Sequence, residues 1–196
     1  MKRVVITGGP CSGKTELLEV LPGILGEHGL TARFVTEVAT DLIMEGFTPV
    51  TSGSACAFQK KVVEMQIERE DLACKEALEQ GIDFVLCDRG VCDGAAYLTY
   101  DEFVEVLSSN GLDKSSGHAR YDVVICLESV ASGNPDAYTC ANNEARGETA
   151  EEAAALDARM QIGWGDHPHF VHVPYMETFD EKVDAVMQVL LDSISS

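Results

Sequence analysis

Residues 8–15 read Gly8-Gly9-Pro10-Cys11-Ser12-Gly13-Lys14-Thr15. The stretch fits the spacing G-x-x-x-x-G-K-[ST], in which two glycines, a lysine and a hydroxyl residue are fixed. Residues 3–7 before it are largely apolar and β-branched, which is typical of a buried strand. Residues 16–21 after it carry apolar side chains at helical spacing. A strand, this loop and a helix, in that order, are the context the spacing requires, so the stretch predicts a phosphate-binding loop, or P-loop.

Each fixed residue of the loop suits the polyphosphate of a nucleotide. Gly8 and Gly13 allow the backbone to bend so that successive N–H groups converge on phosphate oxygens. The helix that follows directs its positive end at the same anion. Lys14 supplies a charge for the β- and γ-phosphates, and the Thr15 hydroxyl is a ligand suited to Mg²⁺. We therefore predict that residues 8–15 bind ATP or GTP together with Mg²⁺.

Length and charge limit the classes of protein that the chain can belong to. Its 196 residues suffice for one well-filled core, which predicts a single domain over residues 1–196. There are 33 acidic against 14 basic residues, a formal net charge of −19, which disfavours nucleic acid and anionic lipid as partners. The acidic surface fits either an ordinary soluble enzyme or adaptation to a salt-rich cytoplasm, and composition leaves both open.

Cysteine usage and hydropathy predict a cytoplasmic location. The seven cysteines are an odd number with no C-x-x-C pair, which favours free thiols in a reducing compartment over disulfides. No apolar run approaches the roughly 20 residues that span a bilayer. The first strand begins almost at once, so we expect no signal peptide.

Short apolar runs alternate with longer helical patterns beyond the loop, and this alternation predicts an α/β protein with a parallel sheet. Further strands are predicted at 29–36, 82–87, 121–127 and 170–173, and helices at 54–80, 93–109, 149–163 and 178–194. A capping box at Thr149 and Glu152 is predicted to open the third of these helices. Residues 129–148 are rich in Ser, Gly, Asn, Pro and Ala, so they predict a functional lid or a disordered segment.

Charged residues follow two of the predicted strands. Because ligands of an open parallel sheet bind at the carboxyl ends of its strands, these residues are expected to face one crevice. Glu37 is a candidate general base, and a capping role is the alternative. Asp88 is a candidate Mg²⁺-directed carboxylate, with a turn cap as the alternative. Arg89 is predicted to clamp a phosphate or a substrate, or else simply to pair with Asp88.

Three further sets of residues are ambiguous in sequence. Asp93 fits a helix cap and a functional carboxylate about equally well. Arg146 is predicted to swing from the lid onto the developing phosphoryl charge, with a solvated surface arginine as the alternative. Three histidines suggest a metal site, but their spacing does not favour convergence on one ion: His167, His169 and His172.

The ordered series of motifs resembles the small P-loop NTPases grouped as an AAA-type domain. That group includes a bacterial ribosylnicotinamide-kinase domain and the nucleotide-binding domain of a GTP-binding trafficking protein. The resemblance covers nearly the whole chain and rests on 6–15, 36–39, Cys87-Asp88-Arg89-Gly90, Asp93-Gly94, Ala96-Tyr97, 142–146, Glu148, Ala154, Leu156-Asp157, Trp164 and His167-Pro168.

The resemblance implies a nucleoside- or nucleotide-kinase-like fold with strand order 2-3-1-4-5. It also implies that Glu37 and Asp88-Arg89 occupy positions used for acceptor and Mg²⁺ handling, that Arg146 occupies the lid position, and that Trp164 and His167 belong to the family pattern. These implications agree with the roles inferred from the residues themselves.

Two functions of different classes fit the sequence. The first is a phosphotransferase that uses MgATP or MgGTP and a small nucleoside- or nucleotide-like acceptor. The second is a nucleotide-dependent switch with slow hydrolysis that is read by a protein partner. No residue specifically favours a third reading, an orphan hydrolase. The guanine-reading N-K-x-D tetrapeptide is absent, and residues 174–177 are expected to contact the base.

Overall fold

The computed structural model describes residues 1–135 and 149–195. Five strands form one all-parallel sheet in the order β2-β3-β1-β4-β5. Their bounds are β1 Lys2–Gly8, β2 Ala32–Val35, β3 Phe84–Asp88, β4 Val123–Leu127 and β5 Phe170–Val173. The predicted fold class and strand order are therefore confirmed.

Helices cover both faces of the sheet, as parallel strands require. Those of the described residues are α1 Lys14–Glu27, α2 Val38–Met44, α3 Ala55–Gln80, α4 Tyr100–Ser109, α5 Lys114–His118, α6 Val130–Gly133, α7 Ala150–Trp164 and α8 Phe179–Ser195. A short 3-10 turn, Asp93–Ala96, follows β3.

Several predicted boundaries need correction. The helix predicted over 93–109 is a 3-10 turn followed by α4, because Thr99 caps a new helix start through Glu102. The segment predicted as a lid, 129–148, opens with α6, while residues 136–148 lie outside the described residues. The capping box at Thr149 and Glu152 is present as predicted.

Alternating side chains of the central strands fill two hydrophobic cores. Ile6 and its neighbours on one face pack with α1 and α8. Val5 and its neighbours on the other face pack with α3, α4 and Trp164 of α7. Phe179, the first residue of α8, is 39% exposed and lies outside both cores, whereas Val183, Val186 and Leu190 of the same helix are buried. The two cores fix the carboxyl ends of β1 and β3 side by side, which is where the candidate site lies.

Candidate functional site

The P-loop connects β1 to α1 in the predicted way. A Cβ on Gly8 would lie 2.4 Å from the carbonyl oxygen of Leu127, so the neighbouring strand leaves room only for glycine. Gly13 caps α1 in the left-handed region, with φ 79°, which glycine adopts without strain. Lys14 is the first residue of α1 and is buried, whereas Thr15 next to it is exposed. The loop therefore places its lysine and hydroxyl at the N-terminus of a helix.

Residues far away in sequence hold the P-loop from outside. The Gly9 N–H donates to Asp157 Oδ1 over 3.0 Å, and Lys182 Nζ donates to the Ser12 carbonyl over 2.6 Å. Both side chains are buried, and Ser132 Oγ donates to the second Asp157 oxygen over 2.8 Å. Sequence patterns do not predict these long-range contacts. Their signal is a charged residue on the buried face of a helix: Asp157 in the middle of α7 and Lys182 in the first turn of α8.

Lys14 and Asp88 meet where β1 and β3 end. Lys14 Nζ forms an ion pair with Asp88 Oδ1. Burial raises the pKa of Asp88 above its ordinary value, and the opposing attraction of Lys14 does not cancel that effect. Asp88 thus lies next to the lysine of the P-loop.

Glu37 and Arg89 form a second charged pair beside the first. Arg89 Nε donates to Glu37 Oε1 over 2.6 Å, and Arg89 Nη1 donates to the Gly8 carbonyl over 3.2 Å. Burial alone would raise the pKa of Glu37, but the charges of Arg89 and Lys14 outweigh it and lower that pKa below its ordinary value. The alternative that Arg89 pairs with Asp88 is wrong, because the guanidinium points to Glu37.

The backbone of Arg89 is held in an unusual conformation by a buried network. Its φ of 69° lies in the left-handed region, which non-glycine residues rarely adopt. Gln66 Nε2 donates to the Arg89 carbonyl over 3.1 Å and to Glu70 Oε1 over 2.8 Å. Glu70 is fully buried and also accepts hydrogen bonds from Arg120 and Tyr121. Gln66 and Glu70, on the buried face of α3, therefore hold the Arg89 backbone in the conformation from which its side chain reaches Glu37.

The carboxylate of Asp93 is occupied by hydrogen bonds within the fold. Its Oδ1 accepts hydrogen bonds from Thr7 Oγ1 over 2.7 Å and from Trp164 Nε1 over 2.8 Å, and its Oδ2 accepts one from the Gly90 N–H over 2.8 Å. A carboxylate with three donors ties β1, the turn after β3 and α7 together. Trp164 thus has a role in packing and hydrogen bonding.

A cavity of about 360 Å³ opens next to the Glu37–Arg89 pair, between α2 and α3. We call it the α2–α3 cavity. Its walls are largely apolar, and Glu37, Gln59, Gln66 and Arg89 are among its polar lining residues. The remaining lining residues are Val38, Ala39, Thr40, Ile43, Pro49, Ala55, Phe58, Val62, Val63, Gly90, Val91, Asp93, Gly94 and Tyr97.

A protein-family model described as an AAA domain matches residues 3–182. The chain belongs to this AAA-domain family. The match spans the P-loop, the ends of β2 and β3, and the first turn of α8 as far as Lys182, so it includes every described part of the site. A comparison with curated proteins found no match. The chain is accordingly a P-loop nucleotide-binding protein.

Other predicted residues of this AAA domain lie away from the site or outside the described residues. Arg146 lies outside them. His167 uses both ring nitrogens on backbone atoms: Nε2 contacts the Tyr121 carbonyl and Nδ1 accepts from the His169 N–H, each over 3.1 Å. His172 is exposed on β5. In the predicted base-contacting segment, the Tyr175 N–H donates to Glu128 Oε2 over 2.6 Å.

Residues 1–135 and 149–195 hold no metal-ligand cluster and no membrane-spanning helix. No three His, Cys, Asp or Glu side chains there are grouped to hold a metal ion. None of the helices there is long and apolar enough to cross a membrane.

Proposed function

We propose that the protein is a phosphotransferase that moves the γ-phosphoryl group of ATP or GTP onto a small nucleoside- or nucleotide-like alcohol. One observation carries the proposal: Glu37 and Arg89, paired with each other, line the α2–α3 cavity, and Arg89 also donates to the Gly8 carbonyl at the start of the P-loop. A protein that only binds or hydrolyses a nucleotide has no need of a second cavity linked in this way to its P-loop.

The donor nucleotide is held by the P-loop. Backbone N–H groups of residues 11–15 and the N-terminus of α1 face its phosphates, while the Gly9 N–H remains with Asp157. Lys14, which pairs with Asp88 in the structure, turns to the β- and γ-phosphates when they are present. The donor set offered to Mg²⁺ is the Thr15 hydroxyl and the Asp88 carboxylate, both hard oxygen ligands of the kind that Mg²⁺ prefers. These two oxygens would hold Mg²⁺, whose charge would offset that of the phosphates.

The acceptor is held in the α2–α3 cavity. Glu37 takes the proton of the acceptor hydroxyl, and that oxygen forms a bond to the γ-phosphorus as the bond to the β-phosphate oxygen breaks. The nucleoside diphosphate leaves with the electron pair of the broken bond. Arg89 keeps Glu37 ionised and oriented, and its guanidinium lies close to the charge that develops on the transferred group. Arg146 is proposed to add a further positive charge there.

The test is a transfer assay with ATP or GTP against a panel of nucleosides and nucleoside monophosphates, using wild type and Glu37→Gln. We expect at least one acceptor to be phosphorylated, and Glu37→Gln to lower its transfer rate by about 10²- to 10⁴-fold because the general base is lost. Nucleotide affinity should remain. Glu45→Gln is the matched control, since Glu45 is an exposed residue at the end of α2.

Two results would overturn the proposal. One is nucleotide hydrolysis without transfer to any acceptor, and the other is transfer to an acceptor at a rate that Glu37→Gln leaves unchanged. The first would favour the alternative, a slowly hydrolysing switch that a protein partner reads.

A further inference from the structure

Gln59 is a buried side chain whose amide forms no hydrogen bond within the described residues. It lies on α3 and lines the α2–α3 cavity, and only 8% of its surface is exposed. A Cβ on Gly94 would lie 3.1 Å from Gln59 Oε1, so the amide passes closely over a residue that has no side chain. Glu76 Oε2 is the one fully enclosed side-chain polar atom without a hydrogen-bond partner in the described residues, so the Gln59 amide is open to the cavity rather than sealed in the core.

Other buried polar groups in the wall of the cavity have partners. Gln66, two turns further along α3, donates to the Arg89 carbonyl and to Glu70. Asp93 accepts three hydrogen bonds. Gln59 is therefore not part of the network that holds the wall together. Its amide offers a donor and an acceptor to whatever occupies the cavity.

The charges of the cavity disfavour a phosphorylated occupant. Arg89 is the single cation among the described lining residues, and it is paired with Glu37. Asp93 adds a second carboxylate to the wall. Phosphate groups are normally bound by cations that are free to contact them, often more than one. The balance of two carboxylates and one arginine suits an uncharged ligand.

The apolar walls define the remaining part of the ligand. Phe58, Val62 and Tyr97 offer flat or branched apolar surface next to Gln59. A ring that packs against such surface and carries a hydrogen-bonding edge satisfies both the walls and the amide. A hydroxyl group on the same molecule must also reach Glu37.

We propose that the α2–α3 cavity selects an unphosphorylated nucleoside whose base carries an amide-like edge, with one donor beside one acceptor, and that Gln59 pairs with this edge. The proposal rests on the phosphotransferase function above in treating the ligand as an acceptor. It goes beyond that function by excluding nucleoside monophosphates and by naming the residue that determines specificity.

The experiment measures both binding and transfer. Binding of uridine, cytidine, adenosine, guanosine and inosine, and of their 5′-monophosphates, is measured by calorimetry with a non-hydrolysable ATP or GTP analogue present. Benzimidazole riboside, whose base has no amide-like edge, is the reference ligand. The proteins are wild type, Gln59→Leu, and the control Gln80→Leu, in which an exposed glutamine at the end of the same helix is replaced. Thermal unfolding checks that each variant is folded.

We expect one nucleoside with an amide-like edge to bind at least about 10-fold more tightly than its monophosphate and than benzimidazole riboside. Gln59→Leu should weaken that nucleoside about 10- to 100-fold, as expected for a lost buried hydrogen-bond partner, and leave benzimidazole riboside nearly unchanged. Gln80→Leu should behave as wild type. In the transfer assay, KM for the nucleosides should rank the ligands and variants in the same order as the binding affinities.

Preference for a monophosphate, equal binding of benzimidazole riboside, no binding of any nucleoside, or wild-type affinity in folded Gln59→Leu would each overturn the inference. The phosphotransferase function survives these results if some other acceptor is phosphorylated. Conversely, tight nucleoside binding that depends on Gln59, without any transfer, supports the pocket assignment and overturns the phosphotransferase function.

Discussion

The P-loop and the α2–α3 cavity lie next to each other at the carboxyl edge of the sheet, but they are built in different ways. The P-loop is one stretch of eight residues, 8–15, whose backbone forms most of the phosphate site. The cavity collects side chains from α2, the segment after β3 and the N-terminal half of α3. The backbone of the loop can recur in many proteins, whereas the cavity depends on side chains that a few substitutions would change. The P-loop is therefore generic in its construction, whereas the proposed acceptor site is particular to this chain.

Lys14→Ala should have the largest effect on transfer, and it tests whether the P-loop is the nucleotide site. Loss of the lysine removes the charge that faces the β- and γ-phosphates, so we expect transfer to fall by about 10²- to 10³-fold or more, together with nucleotide affinity. Binding of an acceptor in the α2–α3 cavity should change little. Calorimetry with each ligand separately measures both. Lys75→Ala, an exposed lysine of α3, is the control. Unchanged nucleotide affinity would mean that the donor site lies elsewhere.

Asp157→Ala tests whether the P-loop depends on its distant supports. The substitution leaves the Gly9 N–H and the Ser132 hydroxyl without their buried acceptor, so the free energy of unfolding should fall by about 1–3 kcal/mol. Nucleotide affinity should fall by roughly 10-fold because the loop loses its fixed shape. Chemical denaturation measures the first effect, with exposed Asp184→Ala as the control. Equal stability of the two variants would show that the loop keeps its shape without Asp157.

The sequence predicted features that depend on contiguous residues or regular patterns. The P-loop is one such feature, since its fixed residues and their flanking elements lie within 20 positions of each other. The capping box at Thr149 and Glu152 is local, and the five strands were recognisable as short apolar runs. The strand order, by contrast, came from the family resemblance, because hydrophobic patterns do not specify which strands are neighbours.

Contacts between side chains far apart in sequence could not be predicted. Arg89 follows Asp88 directly, which made a local pair plausible, but its left-handed backbone turns the guanidinium towards Glu37, 52 positions away. The buried polar residues of α3, by contrast, can be recognised from the sequence by their helical spacing. Gln59, Gln66 and Glu70 share a helical face with buried Val63, so they lie in phase with the core. A polar residue at a core position indicates either a buried network or a ligand contact.

Gln66→Leu should have a smaller effect than the two preceding variants. It should change the handling of the acceptor in the α2–α3 cavity and leave nucleotide binding at the P-loop unchanged. The substitution removes the donor that holds the Arg89 carbonyl, so Arg89 and Glu37 should be less well oriented. We expect the acceptor KM to rise, or kcat to fall, by up to about 10-fold, the value of one hydrogen bond, with nucleotide affinity unchanged. Steady-state kinetics with each substrate varied separately distinguishes the two sites. Gln80→Leu is again the control. An equal loss of nucleotide affinity would show that the α2–α3 cavity and the P-loop do not act as separate sites.

The smallest expected effect is a shift in the pH dependence of transfer, caused by a change in the pKa of Glu37. Burial raises that pKa, and the charges of Arg89 and Lys14 lower it to a net value below the ordinary one. Glu37 therefore stabilises the fold above its unfolded-state pKa, and this contribution is lost as pH falls through the lower folded-state pKa. In Arg89→Met the main opposing charge is gone, so the pKa of Glu37 should rise.

The measurement is the pH profile of kcat/KM for the acceptor in wild type and Arg89→Met. The acidic limb should move to higher pH in the variant, even though its plateau is also lower, because Glu37 must be ionised to accept the proton. Arg33→Met is the control, since Arg33 pairs with Glu76 near the C-terminal end of α3, beyond the residues of that helix that line the cavity. A limb that stays in place in Arg89→Met would mean that a group other than Glu37 takes the proton. The charged pair would then orient the acceptor without reacting with it, and the cavity would still be distinct from the P-loop.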